Sequence, residues 1–72
     1  MAAEWMRGQF AVEARASGSD WAEVVGDLGH LKIAKIRFSE RRHGFPEIAC
    51  RIVRLTGSAR EVVDGFVYEP AS

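Results

Sequence analysis

One cysteine, two prolines and two histidines are all that 72 residues hold of the types that most often carry crosslinks, sharp turns and metal chemistry. A lone Cys50 excludes an internal disulfide and a zinc site built on thiolate pairs, and it fits a reducing, cytoplasmic setting. Nowhere do about 18 apolar residues run together, so no membrane-spanning helix is expected. The opening MAAEWMRGQF has no apolar run behind a basic start, so no secretory leader is expected either. Ten Lys and Arg balance ten Asp and Glu, which gives zero formal charge and a pI near 6.7. Any attraction to nucleic acid or to an anionic surface must therefore come from a local patch.

The elements of catalysis are equally scarce. There is no glycine-rich phosphate loop, and Ser17-Gly18-Ser19 reads as the cap region of a following helix rather than an anion cradle. His30 and His43 flank one predicted strand without a carboxylate pair at helical spacing, so no metal site is expected. Cys50 falls within another predicted strand, where a small buried hydrophobe is the ordinary role and an activated thiolate would need exposure. The expectation is a protein that is not an enzyme and has no cofactor.

What is present is an ordinary globular composition, 47% hydrophobic and 28% charged, which excludes disorder over most of the length. Residues 1–72 make one domain with a thin core, since a chain of this size buries only about 60% of the surface it exposes when unfolded.

Alternation of Phe10, Val12 and Ala14 with Gln9, Glu13 and Arg15 predicts a strand. Asp20 and Glu23 make a capping-box-like start, Trp21, Val24, Val25 and Leu28 share one helical face, and Gly29 suits a helix stop. That predicts a short helix over 20–28 with Trp21 covering the core. Ala34, Ile36 and Phe38 alternate with Lys35, Arg37 and Ser39, predicting a strand over 31–39, and RRHGFP then makes a loop.

EIACRIVRLTG fits both strand and helix periods, and strand is preferred. In REVVDGFVYEP, Asp64-Gly65 is either a two-residue hairpin turn or a bulge in one longer strand. A helix-turn-helix across IVRLTGSAREVVDGFV is a weaker reading, because its second helix would offer DNA three carboxylates and a single arginine. A turn at Thr56-Gly57-Ser58 between strands is preferred. The result is an α+β domain of β-α-β-β-β order, with an antiparallel-rich sheet of four or five strands and one short helix on one face. Trp5, in the first segment, is expected either to pack across the sheet end or to sit in an interface.

The charge is not evenly spread. Residues 32–54 carry seven bases, Lys32, Lys35, Arg37, Arg41, Arg42, Arg51 and Arg54, against Glu40 and Glu47, so this segment sums to +5 and the remainder to −5. If 31–40 pairs with 47–56, Lys35, Arg37, Arg51 and Arg54 line an outward ridge, with Arg41, Arg42, His43 and Phe45 at its tip. Three roles compete for it: cross-strand pairing with Glu61, Asp64 and Glu69, docking on an acidic protein surface, or phosphate contact with Phe45 or Tyr68 stacking on a base.

The expected function is that of a non-enzymatic regulatory or inhibitory protein, of the small standalone kind that phages and mobile elements encode, docking through the basic ridge on a protein that handles nucleic acid. The alternative is a direct DNA- or RNA-binding protein using the same ridge. A sheet face left bare by a single helix also favours a homodimer.

Overall fold

The alternation in QFAVEAR does produce a strand. In the computed structural model, which describes residues 7–70, these residues belong to β1 (Arg7–Arg15). The chain continues as β2 (Ala22–His30), α1 (Leu31–Gly44), β3 (Ala49–Thr56) and β4 (Ala59–Tyr68). All strand pairs are antiparallel and the order across the sheet is β2-β1-β3-β4, so β1 and β3 are central. This is a small α+β domain: a four-stranded antiparallel sheet with one helix on one face. The expectation for Trp5 lies outside the described residues.

The order of elements is ββαββ rather than β-α-β-β-β, because the second and third segments exchange roles. Residues 22–30 form a strand, not the helix expected over 20–28. Gly26 and Gly29 weaken a helix there, and Val24 and Val25 suit a strand. Ser17-Gly18-Ser19 belongs to the β1–β2 turn, where the Ser19 N–H donates to the Ala16 carbonyl at 3.0 Å. Pairing with β1 is irregular: Val12 faces Val25 while Glu13 faces Glu23, so Val24 bulges out and is exposed.

Residues 31–44 form a helix, not the strand expected over 31–39. The competing period was Leu31, Ala34 and Phe38, spaced by three and four, and these are the buried residues of α1. Only two residues of the segment, Ile33 and Ile36, are β-branched. Leucine, alanine, lysine, arginine and glutamate supply most of the rest and favour helix. Arg41, Arg42 and His43 occupy the last turn, where positive charge meets the negative end of the helix dipole. The Phe45 N–H closes the helix by donating to the Arg41 carbonyl at 2.9 Å.

β3 and β4 form a hairpin, which removes the helix-turn-helix reading. Thr56 pairs with Ala59, leaving Gly57-Ser58 as the turn, and Gly57 at φ 61° supplies the positive angle that a two-residue turn needs. The second reading of Asp64-Gly65 holds. The register jumps from Val53–Val62 to Arg51–Val67, and Gly65, at φ 84°, sits in the bulge of one long strand.

The core lies between sheet and helix. Phe10, Val12 and Ala14 of β1, Leu28 of β2, and Cys50 and Ile52 of β3 meet Leu31, Ala34 and Phe38 of α1. Phe38 also meets Phe66 of β4 edge to face, with ring centroids 5.9 Å apart. No helix among the described residues is long and apolar enough to cross a membrane.

Candidate functional site

The basic segment does not form a two-stranded ridge. Because 31–44 is a helix, Lys35, Arg37, Arg41, Arg42 and His43 stand on α1 and Phe45 caps it. Arg51 and Arg54 lie elsewhere on β3. Alternation along β3 places those two on opposite faces of the sheet. Arg54 lies on the helix side, in the small cleft that Phe10 and Leu31 also line, and Glu61 is its cross-strand partner. Arg51 lies on the other side, committed to a carboxylate of its own.

Within α1, five bases face one acid over 14 residues. Aromatic rings of the core and of the helix cap orient three of them. Lys35 Nζ lies 5.1 Å from the Phe66 ring centroid, the Arg41 guanidinium 4.2 Å from Phe45, and that of Arg42 4.8 Å from Tyr68 and 5.8 Å from Phe38. Such contacts are worth about 0.5–1 kcal/mol each when exposed, and they restrict side chains that would otherwise sample many rotamers. Arg37 is different: its Nη1 donates to both Glu40 oxygens, at 2.9 and 3.1 Å. His43 Nδ1 lies 2.8 Å from the Ser39 carbonyl, which can only accept, so this contact places the proton on Nδ1.

Strand alternation had aimed Ile36 inward. On the helix, Ile33 and Ile36 are exposed at 39% and 46%, on the side turned away from the sheet. The helical period of Leu31, Ala34 and Phe38 carries the signal that would have placed them there.

The face of the sheet without a helix holds a second cluster that the sequence reading missed. Glu13, only 4% exposed, accepts from Arg51 Nε at 2.9 Å and from Arg60 Nη1 at 2.8 Å, and Arg60 reaches on to Glu23 at 3.3 Å. Residues from all four strands are thus joined. Trp21 does not cover the core. The Arg15 and Arg51 guanidiniums lie over its ring, 4.7 and 4.0 Å from the centroid. Arg51 and Arg60 are held by these carboxylates, and Arg15 lies 3.5 Å from Glu69. The cluster covers part of the sheet face that has no helix, and Val62 and Val67 remain exposed on it.

A cleft of about 700 Å³ opens at the sheet end between the β1–β2 turn and the end of β4. Arg15, Glu47 and Glu69 line it, Arg15 lying 3.5 Å from Glu69, and the Tyr68 hydroxyl there donates to the Pro46 carbonyl at 2.6 Å. No group of three potential metal ligands occurs among the described residues. Cys50 is buried, as expected for a core residue. Burial pushes its thiol pKa up, and the charges of Arg41 and Arg42 only partly oppose this.

The unfolded chain therefore releases the Cys50 proton first, and the thiol's contribution to stability is lost as pH rises past the ordinary thiol range. Alkylation by iodoacetamide at mildly alkaline pH should be about tenfold or more slower in the native protein than in denaturant. Equal rates would mean that the β3 core position is open to solvent.

No protein-family model, no curated protein and no solved structure matches the chain.

Proposed function

We propose that this is a non-enzymatic binding protein, regulatory or inhibitory in type, that docks the outward side of α1 on an acidic surface of a protein partner. One observation carries the reading: α1 gathers five bases against a single acid while the chain as a whole is neutral. A neutral protein with its charge separated in this way has a directional field, which speeds and orients encounter with an acidic surface. Ile33 and Ile36, exposed between the cations, favour a protein over a phosphate backbone, because a partner surface can seat both apolar and charged groups.

Direct contact with DNA or RNA through the same helix is the second reading. Phe45 favours it, being 48% exposed and stacked on Arg41, an arrangement able to accept an unpaired base.

The test is charge reversal at Arg41 and Arg42. Both side chains lie at the helix end, so Arg41→Glu with Arg42→Glu should leave a cooperatively folded protein, destabilised by about 1–2 kcal/mol through lost ring contacts and an unfavourable helix dipole. As bait against the host's soluble proteins, the wild type should retain an acidic partner that the double variant loses. Neither form should shift mixed DNA and RNA at physiological salt. Retention of the same partner by the folded double variant would remove α1 from the interface. A salt-sensitive gel shift by the wild type alone would select the nucleic-acid reading.

A further inference from the structure

The outward side of α1 has a pattern more specific than positive charge. Ile33 and Ile36 are three residues apart, and seven residues after each of them come Glu40 and His43, all four exposed. These are successive a and d positions of a heptad. Lys32 then takes the g position before Ile33, and Arg37 the e position after Ile36. The residues facing the sheet, Leu31, Ala34 and Phe38, fall at f, b and f, so the fold buries the back of the heptad and turns its seam to solvent. A helix that only covered a sheet would not need isoleucine at both a and d of its exposed side, where polar side chains ordinarily stand.

We propose that this seam receives an acidic amphipathic helix of the partner protein, apolar at its own a and d positions and carrying Asp or Glu at e and g. The proposal rests on the reading of α1 as a docking surface and adds the shape and chemistry of what docks. The partner's apolar stripe seats on Ile33 and Ile36, and a flanking carboxylate reaches Arg37. The Arg37–Glu40 pair is exposed, with side chains 45% and 59% accessible, and is an exchangeable contact rather than a fixed one.

Glu40 and His43 continue the seam with polar residues, so the apolar contact ends after one a/d pair. Polar seam positions of this kind specify register and limit affinity. α1 is about 21 Å long, which leaves room for roughly two heptads of a partner helix. The contact is therefore short, and an isolated mimic should bind with a Kd of about 10–100 μM at low salt.

The test uses a fluorescently labelled synthetic peptide of about 21 residues, with Leu at a and d, Glu at e and g, and Ala and Gln elsewhere. It is titrated by anisotropy beside a Lys-for-Glu version and a scrambled version of identical composition. The expected result is that the acidic heptad peptide binds at least about tenfold more tightly than either control. An Ile33→Ser, Ile36→Ser variant, unchanged in circular dichroism because both positions are exposed, should lose that advantage. Arg37→Glu should shift preference toward the Lys peptide.

If the acidic and scrambled peptides bind alike, with Arg41→Glu, Arg42→Glu abolishing both and the isoleucine variant changing neither, the seam is overturned while electrostatic docking by α1 stands. If no peptide binds but a DNA duplex does, both the seam and the protein-docking reading fall. If nothing binds, the seam falls.

Discussion

Replacing Glu13 with alanine is expected to lower the stability of the domain by about 2–3 kcal/mol, although Glu13 lies on the sheet face that carries no helix. Its carboxylate is the anion between two guanidiniums, Arg51 on the neighbouring strand and Arg60 on the far edge, and its side chain is only 6% exposed. Removing one partner of a buried ion pair typically costs about 3–5 kcal/mol, because the charge left behind has lost both water and counterion. The figure here is lower because Arg60 is about half exposed and recovers solvent, while Arg51, at 24%, recovers less.

For a domain near the lower end of the usual range, about 5 kcal/mol, that is a large share of the total. Glu13→Gln, which keeps an acceptor oxygen for one arginine, should lie between alanine and wild type. Urea denaturation with a shared m-value reads the difference. A shift below about 0.5 kcal/mol, the range of ordinary surface changes, would mean that the cluster does not tie the strands together.

Phe38→Ala should have the largest effect, about 3–5 kcal/mol, enough to leave much of the protein unfolded. Phe38 is the largest side chain that α1 buries, it meets Phe66 edge to face, and the Arg42 guanidinium lies over it. Ile36→Ala, two residues away, should cost less than about 1 kcal/mol, since Ile36 is 46% exposed. The contrast also tests the phase of the segment. In a strand, residues 36 and 38 point to the same face and would be affected alike, whereas in a helix they stand 200° apart. Comparable losses at both positions would contradict α1.

That contrast bears on what was legible in the sequence. β1 could be read because Phe10, Val12 and Ala14 alternate strongly; β3 also fits a helical period, and it and β4 could be read as strands from their β-branched residues beside the turn at Gly57. The exchange of helix and strand at 20–44 came from giving local cap signals, Asp20 with Glu23, more weight than Gly26 and Gly29. It also came from reading Ala34, Ile36 and Phe38 as alternation when Leu31, Ala34 and Phe38 carried the buried period.

The clustering of Lys35, Arg37, Arg41, Arg42, His43 and Phe45 survives this exchange because they are close in sequence. A helix gathers them as readily as a hairpin tip would. Arg51 and Arg54 were misplaced because their faces depend on strand parity, and Arg51's true partner, Glu13, is 38 residues away. The Glu13–Arg60 contact, spanning 47 residues, requires the order β2-β1-β3-β4, which local patterns do not encode.

The central claim is that the cations of α1, rather than those of the opposite sheet face, meet an acidic partner. It is tested most directly by recording amide chemical shifts of the ¹⁵N-labelled protein during titration with poly-L-glutamate at low salt. Arg15, Arg51 and Arg60 already lie against Glu69, Glu13 and Glu23, so the account predicts that the largest shifts fall within residues 32–45 and fade as salt screens the charges. Larger shifts at Arg15, Arg51 and Arg60 than on the helix would contradict it.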